Sequence, residues 1–229
     1  LLLSNTSTGG IRFGASGGTS VLAAGRTMSV GSSGFSNGIL ELRGFSSPGT
    51  VAQTLALTGT ASMQFATGTT FGGNLSATAA TMLVGGLTVQ GNARFTKTGP
   101  GNDWSVGGCT FNGDVELTNT GIDVFGLHNS GSDIFNGNIV LNNTSTGSIR
   151  FGWSGGTGTL AAGKTVTVGS GGYANGYLIF RNFTQLGATP QNIFLGTNGI
   201  LWLNNSTFNG DISTTSGNIE VSGSQFLGT

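Results

Sequence analysis

The sequence predicts an all-β protein, folded as a right-handed parallel β-helix (β-solenoid) with coils of roughly 20 to 24 residues. Short apolar runs alternate with clusters of Gly, Asn, Ser and Thr along the whole chain. A long segment near the start returns later, and phenylalanines recur at shorter intervals within it. Repetition at two lengths indicates that equivalent structural units stack on one another.

The composition indicates a folded chain. Of 229 residues, 44 are Gly and 15 are Phe, while 36% are hydrophobic and only 7% are charged. Disordered segments are usually poor in aromatic and aliphatic residues and rich in charge. Runs such as Ile39–Leu42 and Val115–Leu117, bounded by turn residues, indicate strands. Gly and β-branched residues interrupt helical periodicity, so no helix is predicted.

Charge and cysteine content disfavour several classes of protein. Eight basic and eight acidic residues give no net charge and no basic stripe that could neutralise nucleic-acid phosphates. Cys109 is the only cysteine, so no intrachain disulfide framework or cysteine metal cluster is expected. No apolar run is long enough to span a bilayer. Leu1–Leu3 aligns with Ile139–Leu141 inside the second copy of the repeat, so we expect a segment of a longer polypeptide.

The long repeat defines the domain organisation. SNTSTGGIRFG at positions 4–14 returns as NNTSTGSIRFG at positions 142–152, an offset of 138. The same offset relates Gln53 to Gln191, and an offset of 137 holds from Thr70 onward. We predict that residues 1–138 form a first long unit and that residues 139–229 form a partial second unit of one continuous solenoid.

Phe-Asn-Gly triplets mark the predicted corners of the coils. Gly and Asn adopt left-handed backbone conformations at less cost than other residues. The next residue is Asn or Asp, as at Asp114 and Asn138, which fits a side chain that accepts hydrogen bonds from the turn backbone. The predicted structural turn residues are Phe111, Asn112, Gly113, Phe135, Asn136, Gly137, Phe208, Asn209 and Gly210.

The alternative all-β arrangement is a sandwich of antiparallel hairpins, because Asn-Gly is also a favourable two-residue hairpin turn. The repeat favours the parallel β-helix. Stacking equivalent residues of successive coils gives ladders of Phe, Leu and Val inside and of Asn or Thr at the corners.

No residue pattern indicates catalysis. His128 is the only histidine, and no nucleophile elbow accompanies the nearby Ser130 and Asp123. Asp114 and Glu116 lie on one face of a predicted strand, as paired acids of polysaccharide-cleaving β-helices would. Asn replaces this aspartate at equivalent corners, which favours a turn role. The calcium-binding nonapeptide of β-rolls is absent. We expect no enzyme activity, no cofactor and no metal site.

Two binding alternatives stay open. Thr-rich stretches such as Thr165–Thr167 could order water as ice, although no Thr-x-Thr pair recurs in every coil. Aromatic residues that differ between the two units could stack on sugars. These are Trp153, Trp202, Tyr173 and Tyr177, which align with Ala15, Phe65 or Gln64, Phe35 and Ile39.

The strings TFNGDV, STGSIRFG, TLAAGKTVTVG and RNFTQLG resemble the repeats of very large secreted surface proteins of Bacteroidetes-type bacteria. Those proteins are akin in architecture to filamentous haemagglutinin and autotransporter passengers. The resemblance implies export to the cell exterior, with a type IX secretion signal outside these residues, and a role as an adhesin stalk or appendage. It implies no catalytic residue.

We therefore expect an extracellular or cell-surface segment of a structural, adhesive fibre that attaches to cells or surfaces. The expected partners are further copies of the protein in a filament or bundle, and surface glycans or other cells. Nucleic acid and a membrane span are not expected. The alternatives are an ice-binding β-solenoid and a β-helix that binds or cleaves carbohydrate.

Overall fold

The computed structural model describes residues 1–228 and shows a parallel β-solenoid of about nine turns. Within this range the chain forms thirty strands, numbered β1 to β30 in chain order, and no helix. Neighbouring strands come from successive coils and run parallel. The predicted all-β parallel solenoid is confirmed, and the antiparallel sandwich is wrong.

Each coil contributes one strand to each of three faces, A, B and C. Face A contains β1 (Leu2–Asn5), β4 (Ser29–Phe35), β7 (Gln53–Ala56), β10 (Leu75–Ala79), β13 (Ala93–Lys97), β16 (Val115–Asn119), β19 (Ile139–Asn143), β22 (Val166–Tyr173), β25 (Gln191–Phe194) and β28 (Ile212–Thr215). Face B contains β2 (Gly10–Phe13), β5 (Ile39–Leu42), β8 (Ser62–Phe65), β11 (Thr81–Val84), β14 (Asp103–Trp104), β17 (Val124–Leu127), β20 (Ser148–Phe151), β23 (Asn175–Arg181), β26 (Asn198–Asn204) and β29 (Asn218–Ser222). Face C contains β3 (Ser20–Val21), β6 (Phe45–Ser47), β9 (Thr69–Phe71), β12 (Leu87–Val89), β15 (Thr110–Phe111), β18 (Ser132–Phe135), β21 (Thr157–Leu160), β24 (Phe183–Gln185), β27 (Thr207–Phe208) and β30 (Gln225–Phe226).

Coil length varies more than the sequence predicts. One short coil runs from Leu75 to its register partner Ala93 in the next coil. A much longer coil runs from Gly10 to its register partner Ile39. Part of the difference lies in the turns, and part lies in β4 and β22, where the parallel register with the preceding strand shifts between Leu3 and Asn5 and between Leu141 and Asn143. The predicted range of roughly 20 to 24 residues was too narrow because sequence repeats do not reveal how much chain each turn contains.

The long repeat corresponds to six coils. β19 is the second-unit equivalent of β1, and six strands of face A, from β1 to β16, precede it. Val115–Asn119 pairs with Ile139–Asn143 in continuous register across the boundary between the units. The two units are therefore consecutive stretches of one solenoid.

Phenylalanine rings fill the interior from coil to coil. Phe71, Phe95, Phe111 and Phe135 are buried, and neighbouring rings in the interior stand between 5.0 Å and 6.3 Å apart, centroid to centroid. Most of these pairs are tilted or edge-to-face, as the quadrupole of an aromatic ring favours. The recurring Phe of the sequence is thus the core ladder of the solenoid.

Two buried glutamines replace backbone hydrogen bonds on face A. Gln53 Oε1 accepts the N–H of Met28 at 2.7 Å, and Gln191 Oε1 accepts the N–H of Val166 at 2.7 Å. At these places β4 and β7 form no ladder, and β22 and β25 share a single register pair. The carboxamide is needed because a buried N–H without a partner costs about 1–3 kcal/mol.

Face B is interrupted in the same way between β11 and β14. Asp103 Oδ2 accepts the N–H of Met82 at 2.7 Å, and Ser105 Oγ accepts the N–H of Val84 at 2.9 Å. Lys97 Nζ lies 3.9 Å from Asp103 Oδ2, and both side chains are buried. Burial raises the pKa of Asp103 to about 6, although the Met82 hydrogen bond and the charge of Lys97 oppose the shift.

We predict that Gln191→Met lowers the free energy of unfolding by about 2–3 kcal/mol, because it keeps the side-chain volume but leaves the buried Val166 N–H unpaired. Urea denaturation followed by circular dichroism measures the change. The control is Asn192→Thr, at the exposed neighbouring position, with an expected change within about 0.5 kcal/mol. Equal stabilities of the two variants would contradict the structural role of the carboxamide.

Candidate functional site

The predicted turn triplets lie where face C ends and the chain turns to face A. Their phenylalanines are fully buried. Asn136 Nδ2 donates to Asn112 Oδ1 at 2.8 Å on the surface, and Asn209 Nδ2 donates to the Gln185 carbonyl at 2.8 Å. A Cβ on Gly113, Gly137 or Gly210 would stand 2.5, 2.2 or 2.3 Å from a backbone oxygen.

The prediction of left-handed backbone at these triplets is wrong. None of their residues is among those with positive φ in residues 1–228. Glycine is required there by the close approach of the preceding coil. Left-handed non-glycine residues occur instead at His128, Asn182 and Asn205.

The Asn/Asp positions that follow the corners form a column of hydrogen-bond acceptors. Asn74 Oδ1 accepts the N–H of Asn92, Asn92 Oδ1 accepts that of Asp114, and Asp114 Oδ1 accepts that of Asn138. The donor–acceptor distances are 2.8, 3.0 and 2.8 Å. An amide and a carboxylate serve equally as acceptors, which explains their exchange. The predicted turn role of these side chains is confirmed.

The acids considered for polysaccharide cleavage have structural partners. Glu116 Oε2 lies 2.6 Å from Arg94 Nη2, and Glu116 Oε1 accepts a hydrogen bond from Asn142 Nδ2 at 3.1 Å. Glu116 and Asp114 line a groove of about 420 Å³ on face A. Their engagement in the wall of the solenoid supports a structural role for both.

His128 does not form a triad with Asp123 and Ser130, both of which hydrogen-bond to backbone groups elsewhere. Its Nδ1 lies 3.7 Å from Asp133 Oδ2, and both side chains are fully buried. Burial, and then the charge of Asp133, raise the pKa of the nearby Cys109 thiol well above its ordinary value. The side chains of His128, Asp133 and Cys109 are all buried. In residues 1–228, no cluster of three or more His, Cys, Asp or Glu side chains could hold a metal ion.

The three tryptophans of the chain gather on face B around two arginines. We define Trp104, Arg150, Trp153, Arg181 and Trp202 as the Trp–Arg surface. The ring centroids of Trp104 and Trp153 are 6.0 Å apart, and those of Trp153 and Trp202 are 6.5 Å apart. Trp104 is 39% exposed and Trp153 is 36% exposed. Arg181 and Trp202 are half-buried.

Arg150 holds the indoles in place. Its Cζ lies 4.6 Å from the ring centroid of Trp104 and 4.3 Å from that of Trp153. Arg181 Cζ lies 5.3 Å from the same Trp153 ring. Cation–π contacts contribute about 0.5–2 kcal/mol each and strengthen as the cation loses water. Since Arg150 is only 8% exposed, these contacts fix the position of the aromatic rings.

The register of face B brings Trp104 to Arg150. Trp104, Gly126 and Arg150 occupy one column in three successive strands. Gly126 has no side chain, so the guanidinium reaches the indole across the intervening coil. Trp153 follows Gly152, whose φ of 83° turns the chain at the end of β20. Trp104 and Arg150, which are far apart in sequence, therefore come into contact because Gly126, which lies between them in the column, has no side chain.

The first unit shows the same arginine positions in a different environment. Arg12 and Arg43 align with Arg150 and Arg181. Both pair with Glu41: Arg12 Nε lies 3.4 Å from its Oε2, and Arg43 Nη2 lies 3.1 Å from its Oε1. In this unit one carboxylate pairs with two guanidinium groups.

The second unit lacks that carboxylate. Ile179 stands in place of Glu41 as the register partner of the first arginine. The second unit also has tryptophan at two positions where the first unit has a smaller or non-aromatic residue. Trp153 aligns with Ala15, and Trp202 aligns with Gln64. The two units therefore have the same fold at this place but different surface chemistry.

Neither guanidinium of the Trp–Arg surface has an acidic partner within residues 1–228. Nε and Nη1 of Arg150 and Nε of Arg181 are buried without a hydrogen-bond partner in the described part of the chain. Burial, and then the charge of Arg181, lower the pKa of Arg150 from its ordinary value. Glu220 is the register partner of Trp202 and pairs with neither arginine. The result is a cationic aromatic surface on a chain without net charge.

Sequence reasoning identified Trp153 and Trp202 as differences between the units, but it missed Trp104, Arg150 and Arg181. Alignment at the offset of 138 places Ile179 opposite Glu41, and this loss of a carboxylate between retained arginines was the available signal. Trp104 has no counterpart in the other unit, so no such comparison could reveal it.

Comparison of the chain with protein-family models, with curated proteins and with solved structures found no match. In the part of the chain that the structure describes, no helix is long and apolar enough to cross a membrane.

Proposed function

We propose that this chain is a non-enzymatic structural and adhesive segment of an extracellular fibre or cell-surface appendage, which binds glycans on cells or other surfaces through the Trp–Arg surface. The observation that carries the proposal is the gathering of all three tryptophans on one face of a continuous solenoid. Exposed indoles offer flat apolar area with a polar edge, which suits stacking on sugar rings. The extracellular location and type IX secretion rest on the resemblance of the repeat strings.

The solenoid supplies the mechanical part of the proposed role. Coils stacked at about 4.8 Å advance the rod by roughly 30 Å for each six-coil unit. Each coil contacts mainly its neighbours, so the length of such a rod grows with the number of repeats. A binding surface fixed on a stiff rod stays at a defined distance from the cell.

We predict that Trp153→Ala and Trp202→Ala each weaken binding to glycans about tenfold, because each removes a ring worth about 1–2 kcal/mol in the contact. Binding is measured by pull-down with insoluble polysaccharides and by affinity electrophoresis in soluble ones. The control is Phe194→Ala, which removes an aromatic ring that is 51% exposed on face A. Absence of binding to every polysaccharide, neutral or acidic, would overturn the proposed function.

Face C provides a surface for the proposed lateral association of rods into a bundle. It is the only face that forms one uninterrupted sheet of ten strands in the described chain. The column of outward-facing residues at the centre of face C carries no charge. A second copy of the protein could therefore pack against it without like-charge repulsion. The column consists of Val21, Ser46, Thr70, Thr88, Thr110, Ile134, Thr159, Thr184, Thr207 and Gln225.

We predict that the mean mass of the protein in sedimentation experiments rises with concentration and that Thr159→Lys with Thr184→Lys abolishes the rise by placing two like charges on face C. The matched control places the same charges on face A through Thr54→Lys with Thr78→Lys. A wild-type protein that stays monomeric at the highest concentrations would refute the association.

The same column favours ice binding as a second candidate function. From Thr70 to Thr207, six of seven consecutive positions are Thr, at the regular strand spacing of about 4.8 Å. The sequence lacked a regular Thr-x-Thr pair, and the structure shows a single Thr column instead.

If the column binds ice, we predict thermal hysteresis for the wild-type protein and its loss in the variant with Thr159→Lys and Thr184→Lys, because charged side chains disrupt the hydroxyl array. Nanolitre osmometry measures the effect. The variant with lysines on face A should retain it. A wild-type protein without hysteresis would exclude this candidate.

A further inference from the structure

We infer that the Trp–Arg surface recognises polysaccharides that carry carboxylates, such as polyuronates, with Arg181 contacting the carboxylate while the indoles stack on sugar rings. This inference rests on the proposed function, since it names the ligand class of the same surface.

Glu41 shows what two arginines at these positions bind. Its carboxylate forms ion pairs with both: Oε2 lies 3.4 Å from Arg12 Nε, and Oε1 lies 3.1 Å from Arg43 Nη2. Ile179 leaves this role unfilled beside the equivalent arginines of the second unit. A carboxylate supplied by a ligand would meet the half-buried Arg181, whose planar guanidinium presents N–H donors that match the two carboxylate oxygens.

The burial of Arg150 points in the same direction. Its guanidinium lies between two indoles and has two buried nitrogen atoms without a hydrogen-bond partner among residues 1–228. A buried charge without a counter-charge is unfavourable. An anion at the half-buried Arg181 would reduce this unfavourable energy, because Arg181 and Arg150 flank the same Trp153 ring.

The number of cations favours a sugar acid over a nucleic acid. A strand of nucleic acid presents closely spaced phosphates, and proteins that bind it neutralise several at once. The Trp–Arg surface offers two guanidinium groups on a chain of zero net charge. Three tryptophans with two cations match a polymer whose flat rings carry isolated carboxylates.

The test compares polygalacturonate with neutral galactan by affinity electrophoresis of the folded protein. At about 50 mM salt we expect binding to polygalacturonate to be about tenfold tighter. At about 500 mM salt the preference should shrink, because screening weakens the charge contact. Oligo(dT) is the third probe, and tighter binding to it than to polygalacturonate would overturn the inference.

The decisive variant is Ile179→Glu, which places a carboxylate where the first unit has Glu41. It should occupy both arginines, remove the roughly tenfold preference for polygalacturonate, and leave binding to galactan unchanged. Asn192→Glu adds the same charge at an exposed position of face A and should keep the preference. If Ile179→Glu does not fold, Arg181→Gln tests the same contact and should also abolish the preference.

The outcomes separate this inference from the proposed function. Equal binding of both polysaccharides, with loss of both in Trp153→Ala, would sustain glycan adhesion and refute the carboxylate preference. A preference that survives in Ile179→Glu or Arg181→Gln would refute the assigned contact. Failure to bind polygalacturonate would refute the inference, whereas failure to bind any polysaccharide, neutral or acidic, would refute the proposed function itself.

Discussion

Backbone hydrogen bonding along the solenoid axis is the constraint on which the rest of this structure depends. Each coil must satisfy the N–H and C=O groups of its neighbours, since buried groups without partners are costly. Where the ladder is interrupted, a buried side chain takes over, as Gln53, Gln191 and Asp103 do. The acceptor column that includes Asp114 does the same at a corner. Irregular coils are therefore compatible with a continuous rod, provided that each interruption has its own polar replacement. The Phe ladder then fills an interior whose shape the backbone has already fixed.

The same constraint leaves the outward columns free to differ. Ladder bonds and inward packing fix which residues face the core, but they do not fix the chemistry of the residues that alternate with them. Face B illustrates this independence. Glu41 and Ile179 occupy equivalent ladder positions beside equivalent arginines, and both coils keep parallel register on either side. Glu41 forms an ion-pair network with its two arginines, and Ile179 belongs to a cationic aromatic surface. Surface function in such a rod can thus be altered without altering the fold.

Sequence reasoning could reach the fold but not the site, and the difference has a physical cause. Strand and turn patterns, the long repeat and the Asn/Asp exchange at Asp114 all report local or repeated properties. Membership of a column depends on the length of every intervening coil. One column of face B passes through Trp104, Gly126, Arg150, Ile179 and Trp202. No two successive steps along it span the same length of chain, so no periodicity in the sequence places Trp104 beside Arg150. The prediction of left-handed backbone at the turn triplets was wrong for a related reason. The sequence shows that glycine is needed at Gly113, but only the stacked coils show that the cause is the close approach of the preceding coil.

The absence of a carboxylate beside Arg150 and Arg181 is not imposed by folding. The first unit demonstrates that this backbone accommodates a glutamate there, because Glu41 is 8% exposed and pairs with both neighbouring arginines. A solenoid selected only for stability could use the same arrangement twice, since a buried guanidinium such as that of Arg150 is unfavourable without a counter-charge. The second unit retains both arginines and compensates with indoles, two of which are more than a third exposed. Exposed tryptophan adds little to the stability of a rod, whereas it adds much to a contact with a ligand. The difference between two otherwise equivalent units is what the proposed binding role predicts, with the stiff interior as the support and the divergent outer column as the proposed recognition surface.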